Sequence, residues 1–198
     1  MAATPDGRAA DSSTEPVTYV LVDGENLDAT LGVSVLNHRP APEERPRWER
    51  VIEFAQRTWG RPVKGLFFIN ASNGSMPMSF VQALLAIGFR PVALSGPPTM
   101  KVVDVGIQRT LEAIAQRDGH VMLGSHDGDF IPQIQSLLGT SRKVGILGFR
   151  EYVNAAFVPL VAEGLEIFDL EDQARAFNHV LPRVRIIEID NFDPTAYL

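Results

Sequence analysis

The stretch Thr18-Tyr-Val-Leu-Val-Asp-Gly-Glu-Asn26 decides how this chain is to be read: a short, almost uninterrupted apolar and β-branched run ends on an acid, a glycine and a second acid. A strand covered by helices on both faces has this pattern, because neither face has to alternate with water. Five more short runs read as strands: Val63-Lys-Gly-Leu-Phe-Phe-Ile69, Pro91-Val-Ala-Leu94, His120-Val-Met-Leu123, Lys143-Val-Gly-Ile-Leu147 and Leu165-Glu-Ile-Phe168. Between them lie helical patterns. Trp48, Val51, Ile52, Ala55 and Trp59 recur at helical spacing and predict a helix from about Arg47 to Thr58. Pro77 to Ile87 predicts a second, opened by a proline and closed by Gly88. Val102 to Arg117, Asp129 to Leu138 and Tyr152 to Glu163 predict three more, while Gly32 to Pro46, with its prolines, reads as a loop or insertion. Strand and helix alternate throughout, which points to right-handed crossovers and a doubly wound α/β domain with a mostly parallel sheet.

The 198 residues suit one core, and 45% hydrophobic with 21% charged residues is the balance of a globular domain. Met1 to Pro16 is polar and aperiodic and reads as a disordered N-terminal arm; residues 17–170 read as the domain. Residues 171–198 form a C-terminal extension in which Arg185 to Ile189 is expected to make an edge strand and to offer a homodimer contact. No cationic region followed by an apolar run opens the chain and no stretch is long and apolar enough to span a bilayer, so the expectation is a cytoplasmic protein with no membrane partner. The absence of cysteine excludes disulfides, zinc-thiolate sites, Fe–S clusters and thiol nucleophiles, which leaves oxygen and imidazole ligands for any metal. A formal charge of −6 argues against a generic polyanion-binding surface.

In doubly wound sheets ligands bind beyond the carboxyl ends of the strands, at the point where the strand order reverses, and strands one and four flank that point. The residues there are acidic: Asp23-Gly-Glu-Asn26 after the first strand and Gly124-Ser-His-Asp-Gly-Asp129 after the fourth. Asp104 lies in the first turn of the helix preceding strand four, in line with Lys101 and Gln108. Carboxylates gathered in one crevice repel unless a cation compensates them, and Mg²⁺ or Mn²⁺ suits carboxylate and water ligands. Lys101, His126 and Arg150 are placed by sequence near the same rim, where cationic or donor groups would meet phosphate oxygens. Each residue also has an ordinary structural reading. Asp23 or Asp127 followed by glycine suits a turn, Asp127 or Asp129 suits an N-cap, and Asp104 in a first turn favours the helix dipole. Trp48 and Trp59 read as core rather than as base-stacking platforms, and Gly106 inside a helix points to close backbone packing. No GxGxxG, Walker, GxSxG or HExxH pattern occurs.

Three motifs together, Val20-Leu-Val-Asp-Gly-Glu-Asn26, Lys101-Val-Val-Asp-Val-Gly-Ile107 and Gly124-Ser-His-Asp-Gly-Asp-Phe130, resemble the NYN domain, a branch of the PIN-like metal-dependent nucleases that includes the LabA-like bacterial proteins. The resemblance spans about Val17 to Phe168. It implies a PIN-like three-layer α/β/α sandwich and a Mg²⁺ or Mn²⁺ site made by Asp23, Asp104, Asp127 and Asp129, which would serve as both metal ligands and catalytic residues. Asn26, Lys101, Ser125, His126 and Arg150 are the expected substrate-binding set. His126 departs from the family, which usually carries a small or acidic residue there. The implied activity is metal-dependent endoribonuclease cleavage of single-stranded or structured RNA. Two alternatives stand beside it: an NYN-type RNA-binding or regulatory module without turnover, and a phosphatase acting on small substrates.

Overall fold

A computed structural model describes residues 16–198; the expected N-terminal arm, Met1 to Pro16, lies almost wholly outside them. Six strands form one all-parallel sheet: β1 (Thr18–Asp23), β2 (Val63–Asn70), β3 (Phe89–Leu94), β4 (His120–Gly124), β5 (Val144–Gly148) and β6 (Leu165–Asp169). Their order is β3-β2-β1-β4-β5-β6, so the chain runs outward from β1 to one edge, returns, and runs outward to the other. The reversal lies between β1 and β4, where Thr18 pairs with His120 and Val22 with Gly124. All six strands expected from the sequence are present.

Two apolar layers sandwich the sheet, because successive strand residues point to opposite faces. Val20, Val22, Met122 and Leu147 meet helix α2 (Trp48–Trp59) on one face; Leu21, Val121, Leu123 and Ile146 meet α4 (Val102–Ala115) and α5 (Ile131–Leu137) on the other. The expected three-layer α/β/α architecture is therefore the observed one. Gly88, with φ of +89°, ends the turn after α3 (Met78–Ala86), a conformation glycine reaches without steric penalty.

Three sequence expectations are corrected. The segment after β1 is not a plain loop: α1 (Gly24–Ala29) runs on as a π-helix from Thr30 to Leu36, which ends on Asn37 in the left-handed conformation. Prolines resume only at Pro40, beyond the helix, which is why the stretch as a whole reads as a loop. The expected helix from Tyr152 to Glu163 is broken into two 3₁₀ turns and the short α6 (Val158–Val161). Asn154 interrupts it: its side chain accepts from the Ala156 N–H and its own N–H donates to the His126 carbonyl, at 2.9 and 3.2 Å.

Nor do Arg185 to Ile189 form an edge strand. Arg185 is tied to Glu171 and Asp172, just past the carboxyl end of β6, so the segment crosses the strand ends rather than running along the edge. The extension contributes to the core nonetheless. Ala174, Ala176 and Leu181 are buried, Arg47 N–H donates to the Ala176 carbonyl at 2.6 Å, and Arg50 donates to the carbonyls of Arg175 and Phe177. The Arg183 side chain is only 1% exposed and pairs with Glu151, Asp169 and Glu171 at 2.7–2.8 Å, its guanidinium lying 5.2 Å from the Phe149 ring centre. No helix among the described residues is long and apolar enough to cross a membrane.

Candidate metal centre at the strand switch

β1 is buried along its length apart from half-buried Tyr19, its last residue included, which places Asp23 at the sheet's carboxyl end beneath the crevice. Its two oxygens are held separately: Oδ1 accepts from the Asn26 N–H at 3.2 Å and Oδ2 from Ser125 Oγ at 3.1 Å. The first bond caps α1, as the turn reading of Asp-Gly anticipates. The second crosses from β1 to the loop after β4 and fixes the two motifs against each other. Burial pushes the Asp23 carboxyl up to about 6, with Asp104 and Asp127 adding repulsion and the two hydrogen bonds acting in the opposite direction.

The loop after β4 is held by its own side chains. Ser125 Oγ accepts from the Asp127 N–H at 3.2 Å, Asp127 Oδ1 accepts from the Asp129 N–H at 2.9 Å, and Gln108 of α4 donates to the Asp129 carbonyl at 3.1 Å. Asp104, Asp127 and Asp129 thereby each offer an oxygen within 4.8 Å of the others. Asp23 lies outside that tightest group but close enough to feel Asp104 and Asp127 electrostatically. Glu25, on α1, is also raised, by burial and then by Asp104. Its place in the acidic loop after β1 is the signal that would have included it among the site residues.

A cation already stands among these acids. Lys101 Nζ is 3.0 Å from Asp129 Oδ2 and 3.4 Å from Asp104 Oδ2, and both carboxylates raise its proton affinity. Three convergent hard oxygen donors, two of them bridged by an ammonium, are a set suited to a hard divalent cation.

The remaining expected residues are distributed differently. Ser125 is 1% exposed and serves as the strut just described. His126 is buried beneath the crevice with both ring nitrogens engaged: Nε2 accepts from the Phe149 N–H at 2.7 Å, and Nδ1 lies 3.1 Å from Asn26 Oδ1 and 3.3 Å from Thr30 Oγ1. An N–H donor facing Nε2 assigns the proton to Nδ1. Burial lowers its proton affinity to about 4, so the ring is neutral near pH 7. The Asn26 amide oxygen faces inward, accepting from the His126 N–H at 2.9 Å. Arg150 is turned away toward the C-terminal extension, 4.0 Å from Glu188, beside a separate cavity of about 370 Å³ next to Arg183.

The NYN domain profile matches residues 17–163 and so takes in both post-strand motifs and the Lys101–Asp104 helix start. The chain belongs to the NYN domain family. That places it in a family related to the PIN-like nucleases. The NYN match stops before β6 begins at Leu165 and does not reach the extension that completes the core. Among solved structures, a protein of unknown function, VPA0982, from Vibrio parahaemolyticus RIMD 2210633 shares the fold with a TM-score of 0.60 and 20% identity, over 82% of this chain and 98% of that one. No curated protein matches the sequence.

Proposed function

We propose that this NYN domain is a divalent-metal-dependent endoribonuclease that hydrolyses phosphodiester bonds in single-stranded or structured RNA. The observation that carries the proposal is the convergence of Asp104, Asp127 and Asp129 within 4.8 Å at the strand switch, with buried Asp23 alongside. These residues would hold Mg²⁺ or Mn²⁺. The bound ion would polarise the scissile phosphate and lower the proton affinity of the attacking water. Ser125 and the α1 backbone hold the two Asp23 oxygens at fixed positions, and Asn26 and His126 buttress the loop from below, so the acids need little rearrangement. Lys101, 70% exposed on its side chain, is free to swing from Asp129 toward a phosphate oxygen and neutralise charge on the departing group.

The test is cleavage of single-stranded and hairpin RNA by the purified chain with Mn²⁺ and with Mg²⁺, beside Asp127→Asn and Asp104→Asn. Metal-dependent internal cuts that both substitutions abolish are expected. An intact metal response without any RNA cleavage would overturn the proposal.

One observation favours a second reading, an RNA-binding module without turnover: in this arrangement Lys101 already neutralises part of the acidic cluster. Under it, RNA binding persists unchanged in both aspartate variants and nothing is cut. Hydrolysis of mononucleotides but not polymers would instead identify a phosphatase.

A further inference from the structure

A cavity of about 880 Å³ opens directly beside the acidic cluster, over the carboxyl ends of β1 and β2. Gly24 and Glu25, which immediately follow Asp23, form part of its wall, and Phe68, the register partner of Asp23 on β2, forms another part. Its floor is aromatic: Trp48, Phe67 and Phe80 line it, packed edge to face with ring centres 5.1 and 5.2 Å apart. The π-helix and the segment after it supply the opposite wall through Val33 and Arg39.

This chemistry is specific enough to name an occupant. A phosphodiester cut at the aspartates has a base and ribose attached on either side, and each must leave the crevice over some surface. The cavity is a concave, largely apolar surface that reaches the cluster's edge through Gly24 and Glu25, next in the chain to Asp23, and its size lies in the range of small-molecule sites. An apolar, aromatic lining, of which Phe80 is the least buried ring, suits an unstacked base, which every nucleotide can supply through its π-face. The charges fit as well. Arg45 is held by Asp28 in a two-pronged pair at 2.9 and 3.2 Å, but Arg39, exposed at the rim, has no ion pair among the described residues and is available to a backbone phosphate.

We propose that the cavity receives one unstacked nucleotide of single-stranded RNA next to the scissile phosphate, with its base against the Trp48–Phe67–Phe80 floor and an adjoining phosphate on Arg39. The inference rests on the nuclease reading for the position of the scissile bond. It explains how an acidic chain without a basic stripe would hold RNA, by a local aromatic pocket with one cation rather than by diffuse charge.

The test is a polarisation titration of a labelled single-stranded RNA of about eight nucleotides with wild type, Val33→Trp and Arg39→Glu, alongside cleavage in Mn²⁺. Val33 is 77% exposed, so a larger side chain there fills the cavity from outside without strain on the core. Each substitution is expected to weaken binding about tenfold or more, the scale of one lost base stack. Val158→Trp, at a valine on α6 that is also exposed but lies outside the cavity, is expected to leave binding unchanged. Binding that Val33→Trp and Arg39→Glu leave intact overturns the pocket, even if the protein cuts RNA. So does failure to bind RNA at all. Weakened binding in both variants without cleavage by wild type keeps the pocket and overturns only the nuclease reading.

Discussion

Lys101 Nζ reaches across the mouth of the acidic crevice to Asp129 Oδ2, 3.0 Å away, and so ties the start of α4 to the loop after β4. Because the same ammonium contacts Asp104, it sits against two of the three converging carboxylates. A divalent ion entering there has to displace it or share the acids with it. Lys101→Met should therefore tighten Mn²⁺ binding severalfold by isothermal titration calorimetry while lowering RNA cleavage, opposite directions that simple loss of structure would not produce.

Asp23 is buried with its proton affinity raised to about 6, so the folded protein without metal carries a penalty whenever that carboxyl is ionised. Asp23→Asn should raise the unfolding temperature in EDTA at pH 7.5 by at least about 2 °C and should abolish the further rise that Mn²⁺ gives the wild type. A folded value above the unfolded one places the penalty above pH 6, so the gain should shrink as pH falls toward 4. Metal binding ionises the same group, and Mn²⁺ affinity should increase as pH rises through 6. Differential scanning calorimetry at pH 5 and 7.5 checks both.

Two histidines set an opposite trend in global stability. His120, buried and flanked by Arg61, Arg142 and Lys143, and His126, buried under Phe149, both have folded values lowered from 6.5 to about 4. Each binds its proton more weakly folded than unfolded, so its contribution is complete above about pH 6.5 and drains away as pH falls toward 4; Asp23 offsets part of this between 3.8 and 6. The urea midpoint of the metal-free protein should fall between pH 7 and pH 5. His120→Asn keeps an acceptor for the Lys143 N–H, 3.0 Å from His120 Nδ1, and should flatten that dependence.

Arg183 compensates three carboxylates that are themselves largely shielded from water. Arg183→Met leaves them facing one another in a weakly screened site and should cost about 3–5 kcal/mol, read as a drop in the urea midpoint at unchanged slope. Arg183→Lys should recover only part of this, because one ammonium cannot make the three directed contacts of the guanidinium.

Much of this was legible beforehand, for identifiable reasons. Val20 to Val22 and Val121 to Leu123 are buried on both faces, and an apolar run ending on an acid admits few other readings. From those runs the switch point follows, and from the switch point the crevice. Gly106 also reads correctly, since a β-carbon there would collide with Leu94 Cδ1 and press on Phe68. What the sequence conceals is the second role of residues that already have a first. Trp48 and Phe67 are core side chains by pattern and cavity lining by position, and no periodicity separates the two. His126 looks like a rim donor because its neighbours Asp127 and Asp129 are at the rim, yet its ring turns inward, stacking on Phe149 and accepting from that residue's N–H. The tail misleads through alternation: Arg185-Ile-Ile-Glu-Ile189 has strand composition, but its arginines find acids at the sheet's end before its backbone finds an edge.

The bond from Ser125 to Asp23 joins residues 102 positions apart, and that from His126 to Asn26 joins residues 100 apart. Before the second partner of each pair is made, the chain produces β1, β2 and β3, half of the sheet, with the helices that cover them. A ribosome-bound chain that has produced only this half holds Asp23 and Glu25 with nothing opposite them, and β4, the strand that must complete the crevice, joins β1 at the open edge of that half-sheet. The site is thus a seam between the two halves of the sheet: it cannot form until β4 docks on β1, and under denaturant it should be lost together with the β1–β4 pairing rather than before it.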